Sequence, residues 1–173
     1  MESRINKVLI LGIGNDIQQD VGIPVRLTRD LQDLLPGGTF DFKHLFVGGL
    51  ELLEYINGYK GVVFIDTIKT ERASPGQVHV FSTNDYHETL HLSCRHDVSF
   101  KMSLEMGRHL GFIIPEKILV LGIEILEDLV FGAGLSDHLR PKYNGICQEV
   151  KDLVMDFSRS IMIGSADQPR DNH

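Results

Sequence analysis

Only two cysteines, Cys94 and Cys147, occur in the 173 residues. That is too few for a disulfide framework and suits a reducing compartment. Long apolar runs are also missing: none approaches the roughly 20 residues that a membrane-spanning helix needs. Lysine and arginine number 17 against 24 aspartates and glutamates, giving a formal charge of −7, and the basic residues nowhere cluster. An acidic balance without a basic patch argues against a nucleic-acid backbone as partner and leaves protein partners open. The opening MESRINKVLILGIG enters a strand pattern directly, with no cleavage region of a secretory signal, so the cytoplasm is the expected location. Neither an internal repeat nor a linker-like stretch interrupts the chain.

What is present is the balance of a globular domain, with 42% apolar and 24% charged residues and a length suited to one core. Three nearly continuous apolar runs, Lys7 to Gly14, Gly61 to Asp66 and Lys117 to Glu124, read as strands buried on both faces of a parallel sheet. Phe40, Phe42, Leu45, Phe46 and Val47 suggest a further strand, and the alternation from Gln77 to Phe81 suggests an edge strand. Helical spacing appears at Val25, Leu27, Leu31, Leu34 and Leu35, stopped by Pro36-Gly37-Gly38. It recurs from Leu50 to Ile56, from Val98 to Leu110, and from Ile146 to Phe157. The expected architecture is a three-layer α/β/α sandwich around a mostly parallel five-stranded sheet, with one edge strand open to antiparallel pairing. It would occupy residues 1–163 as a single domain, with 164–173 a disordered polar tail.

In such sheets the ligand crevice lies beyond the carboxyl ends of the strands. Three polar residues fall there: Asp20 after the first strand, Asp66 ending the strand GVVFID, and His96 in the polar loop LSCRHD. Two carboxylates and an imidazole suit a divalent metal with open coordination positions. Each has a plainer reading: Asp20 and Asp66 can cap the turns that follow them, and His96 can be a solvated loop residue. Glu124 ends its strand near the same crevice or is simply solvated or paired with a lysine. His87, His91, Cys94 and His96 lie close enough for a local zinc, yet their spacing matches no standard ligand pattern. His44, His79, His109 and His138 carry no expected site role. Gly12-Ile13-Gly14 after a strand invites a dinucleotide reading, but residue 17, where a third glycine belongs, is Ile17; a tight turn needing backbone room explains these glycines without a nucleotide.

The ordered motifs VLILGIGN, VGGLELLEYI, VVFIDTI, SCRHDVSF, LVLGIEI and FGAGLS span nearly the whole chain. In that order they resemble the hydrogenase maturation proteases. The resemblance implies an α/β/α endopeptidase that cuts the C-terminal extension from the precursor of a nickel-iron hydrogenase large subunit once nickel has been inserted. It implies catalytic and metal-binding roles for Asp66 and His96, nickel carried by the substrate, and no organic cofactor. The family's first ligand is the second of two adjacent acids in the loop after Gly-Asn. Here that pair reads Asp20-Val21, so either Asp20 takes over as third ligand, or only two protein ligands remain, or the chain binds a partner without cutting it. Pro24 replaces a glycine usual in that run and stiffens the helix start.

Overall fold

A computed structural model describes residues 4–46, 51–70, 72–82, 92 and 100–163. The apolar run after Lys7 forms strand β1, Val8–Ile13, buried at every position. Strand β3, Gly61–Ile68, is buried throughout as well, and β5, Lys117–Glu124, nearly so. Strands of this kind need cover on both faces and therefore sit in the middle of a sheet. The half-exposed strands β2, Phe40–Leu45, and β4, Val78–Ser82, take the two edges. The order is β2-β1-β3-β5-β4. All pairs are parallel except β4 with β5, which is antiparallel, so the expected edge strand is the exception.

Among the described residues four α-helices cover the sheet: α1, Ile23–Leu34; α2, Leu52–Ile56; α3, Phe100–His109; and α4, Tyr143–Ile163. The strand period of two divides the core. Val8 and Ile10 of β1 and Val63 and Ile65 of β3 face Leu27, Leu31, Val150 and Val154 of α1 and α4. Leu9 and Leu11, with Val62 and Phe64, face Leu52, Ile56, Phe100 and Leu104 of α2 and α3. The result is the three-layer sandwich expected from the alternation of elements.

Helix α1 follows from its spacing. Ile23, Leu27 and Leu31 recur every fourth residue and are fully buried, while Arg29, Asp30, Gln32 and Asp33 face outward. Pro24 sits in the first turn, where its missing N–H has no helical acceptor to lose. Leu35 turns extended, and Gly38, at φ 93°, completes the exit.

The helix lies very close to β1, and Gly12 and Gly14 make that possible. A Cβ on Gly12 would collide with Thr28 Oγ1 and come within 2.6 Å of the Pro24 carbonyl oxygen; one on Gly14 would collide with the Val21 carbonyl oxygen. The space over Gly14 thus holds an acceptor rather than a donor, which fits the tight-turn reading of these glycines and is the wrong polarity for a phosphate.

Strand β3 runs two residues beyond the expected end. Thr67 and Ile68, one β-branched residue after another, continue pairing with Ile123 and Glu124 of β5. Asp66 therefore lies within the strand rather than terminating it. Because the Gly12 approach is to backbone, Gly12→Ala is expected to lower the unfolding free energy by about 2 kcal/mol, read from urea denaturation; an unchanged midpoint would refute the close approach.

Candidate functional site

The chain leaves β1 for β2 through α1 on one face and leaves β2 for β3 through α2 on the other. The carboxyl ends of β1 and β3, which are neighbours, therefore flank the point where the strand order reverses, and a crevice opens there in sheets of this type. Asp66 belongs to β3 on one side of it. The loop that follows β1 forms the other.

Asp66 is fully buried. It follows Val62 and Phe64 in the period of two, so its carboxylate points to the α2/α3 layer. Oδ1 accepts the Thr67 N–H at 2.7 Å and Oδ2 accepts the Leu92 N–H at 3.1 Å. These two backbone bonds orient the carboxylate. Leu92, itself buried, is the described residue of the polar stretch, and its own N–H meets Asp66. His96, like His87, His91 and Cys94, lies outside the described residues.

Asp20 sits in a short 3-10 turn, residues 20–22, before α1, with 3% of its surface exposed. Both of its oxygens are engaged by one residue: Ser136 donates its backbone N–H to Oδ1 at 2.8 Å and its hydroxyl to Oδ2 at 2.7 Å. Leu135, next to Ser136, packs in the α1/α4 core. Asp20 and Asp66 thus serve opposite layers. For Asp20 to hold an ion, an oxygen must be shared with, or released from, Ser136. Val21 is also 3% exposed and packs in the α1/α4 core. An apolar side chain fills the position where the resembling family has its acid. Among the described residues, no group of three or more His, Cys, Asp or Glu side chains is placed to hold a metal.

The Asp20 loop is tied to a second loop far along the chain. Gln19 N–H donates to the Val130 carbonyl at 3.0 Å, Gly132 N–H to the Ile17 carbonyl at 3.1 Å, and Gln18 Nε2 to the Asp128 carbonyl at 3.0 Å. Gln18 and Phe131 form an isolated antiparallel bridge. This rim presents Ile17, Leu129 and Phe131 with 61%, 76% and 68% of their surfaces exposed.

Glu124 is buried at the end of β5, and its partners are local. Thr70 donates its N–H at 2.8 Å and its hydroxyl at 3.0 and 2.9 Å, and His79 Nε2 lies 3.0 Å from Oε2. Glu124 therefore fastens the loop after β3 and the edge strand β4 to the sheet.

Comparison with solved structures finds the same fold repeatedly. The chain is similar to the hydrogenase maturating endopeptidase HybD from E. coli, with 21% identity and a TM-score of 0.67 over 87% of this chain and 93% of that one. It is similar to the [NiFe] hydrogenase maturation protease HycI from Thermococcus kodakarensis KOD1, with 15% identity and a TM-score of 0.64 over the same shares. HybD from Thermococcus kodakarensis matches at 24% identity and a TM-score of 0.59, over 85% of this chain and 98% of that one. No protein-family profile and no curated protein sequence matches the chain. The fold is thus that of the hydrogenase maturation endopeptidases, as the order of motifs implied.

Two stability measurements check the loop before α1. Ser136→Ala leaves Asp20 Oδ2 without its donor and is expected to lower the unfolding free energy by about 1–3 kcal/mol; no loss would mean that the hydroxyl does not hold Asp20. Val21→Glu puts a carboxylate among apolar side chains and is expected to lower it by about 2 kcal/mol or more; an unchanged denaturation curve would place residue 21 at the surface.

Proposed function

We propose that the chain acts on the precursor of a nickel-iron hydrogenase large subunit as a maturation endopeptidase that removes its C-terminal extension. The observation that carries this reading is Asp66: a fully buried carboxylate, oriented by two backbone N–H groups, beside the reversal point of a sheet whose architecture matches solved maturation endopeptidases. Carboxylates this well buried need partners. The apolar rim of Ile17, Leu129 and Phe131 at the same edge of the sheet suits docking of a protein substrate. Among the described residues, no helix is long and apolar enough to cross a membrane.

Nickel in this reading is the substrate's cargo. Asp66 and His96 are its protein donors, a carboxylate oxygen and an imidazole nitrogen, which nickel accepts readily. The ion supplies a Lewis acid for the scissile carbonyl or for the attacking water. The Thr67 and Leu92 N–H groups orient the Asp66 carboxylate. No organic cofactor is called for.

A second reading is favoured by a specific observation. Val21 is packed in the core and Asp20 is committed to Ser136, so the loop after β1 offers no free acid. A protein so built grips the precursor at the apolar rim without cutting it.

Incubating nickel-loaded precursor with the purified protein and reading its mass separates these outcomes. Wild type is expected to shorten the precursor, and Asp66→Ala and His96→Ala are expected to leave it uncut. Undiminished processing by both variants rejects their roles. Cleavage that appears only in Val21→Glu, alongside co-purification of the wild type with intact precursor, makes the natural chain a binder.

A further inference from the structure

Helices α1 and α4 run side by side on one face of the sheet, and an open cleft of about 450 Å3 lies along their seam, within the range of about 300–1,000 Å3 usual for small-ligand sites. Its lining includes Arg26, Arg29 and Arg140, three guanidiniums together on a chain of net charge −7. Two of them are compensated. Arg29 pairs with Asp16 at 3.2 Å; Arg140 pairs with Asp137 at 3.0 Å and donates to the Leu135 carbonyl at 2.8 Å.

Arg26 is different. It makes no hydrogen bond to a described residue, and its Nε is shut away from solvent without an acceptor. A buried N–H left unpaired is costly and rare, and calls for an explanation. Among the described residues no carboxylate is hydrogen-bonded to it, although Asp30, one helical turn further on, lines the same cleft. Asp30, the carboxylate in the lining, is engaged by the Tyr143 hydroxyl at 2.7 Å. Tyr143 adds no negative charge, since burial first and then the bond to Asp30 push its pKa up. Nor does Cys147, whose thiol is pushed up by burial and by the charge of Asp30. Three arginines against one aspartate give the cleft lining a net positive charge, and a guanidinium fork prefers an anion that is planar and bidentate.

We propose that this cleft binds the free carboxylate end of a peptide, with Arg26 as the anchor. The adjoining cavity, about 350 Å3, shares Asp30 and Tyr143 and adds Asp33, so the seam passes from guanidiniums to carboxylates. A peptide terminus matches that order, with one negative charge at its tip and N–H donors behind it. A phosphate dianion would bring its second charge against Asp30. The site also adjoins the loops already described, since Asp16 and Leu135, the partners of Arg29 and Arg140, belong to the segments that carry Asp20 and Ser136. Only the identity of the peptide, as the C-terminal extension of the precursor, rests on the function proposed above; the carboxylate site does not.

Titrating the full chain with acetyl-Ala-Ala-Leu bearing a free carboxylate, with its C-terminal amide, and with inorganic phosphate tests this by calorimetry or NMR shifts. The acid is expected to bind about tenfold or more tighter than the amide and tighter than phosphate. Arg26→Ala is expected to lose that preference and Arg26→Lys to keep part of it. Equal binding of acid and amide, tighter binding of phosphate, or an Arg26→Ala variant that binds like wild type would each overturn the site. Should Arg26→Ala fail to fold by circular dichroism, the acid-against-amide comparison on wild type decides alone. Carboxylate binding without precursor cleavage sinks only the protease reading; cleavage without carboxylate binding sinks only this one.

Discussion

A carboxylate removed from water must find donors inside the protein, and Asp20 finds both of them in Ser136, 116 positions later in the chain. Much of this edge of the sheet depends on that pair of hydrogen bonds. It holds the turn before α1 against the segment before α4, and the backbone bonds of Ile17, Gln19, Val130 and Gly132 then close the two loops on each other. Once the turn is fixed, the Val21 carbonyl comes down over Gly14, and α1 settles against Gly12. The close helix–strand approach and the clamp thus support each other, the first by shape and the second by polar pairing.

Most of the architecture was legible because burial leaves a pattern in the sequence. Continuous apolar runs marked β1, β3 and β5; fourfold spacing marked α1; the alternation of Gln77 to Phe81 marked an edge strand, and β4 is antiparallel to β5. Boundaries were less exact, since Thr67 and Ile68 are polar and apolar by turns and only pairing with β5 shows that the strand continues. The site was legible in part. Asp66 could be singled out because a carboxylate after Val-Val-Phe-Ile contradicts its surroundings. Ser136 could not, because a hydroxyl in a polar loop carries no periodicity and its partner is remote. The role of Glu124 was equally hidden: its carboxylate reads as a crevice residue until Thr70 and His79 are brought to it. Arg26 and Arg29 are three apart on one helix, but Arg140 joins them only when α4 docks beside α1.

The two acids at the sheet's edge therefore have different characters. Asp66 accepts hydrogen bonds from two main-chain donors, the N–H groups of Thr67 and Leu92. Asp20 is held by a side chain and its own main chain together, and it works as a fastener. Val21, beside it, belongs to the hydrophobic core. The β3 side of the crevice thus carries a buried carboxylate on main-chain donors, and the β1 side carries the Asp20 fastener and an apolar rim.

The Asp20–Ser136 clamp also bears on how this protein can change over generations. Neither partner can be replaced singly without stranding the other, and exchanging both for apolar residues still strands the backbone N–H of residue 136 that donates to Oδ1. Position 20 should accordingly keep a hydrogen-bond acceptor even where residue 136 changes.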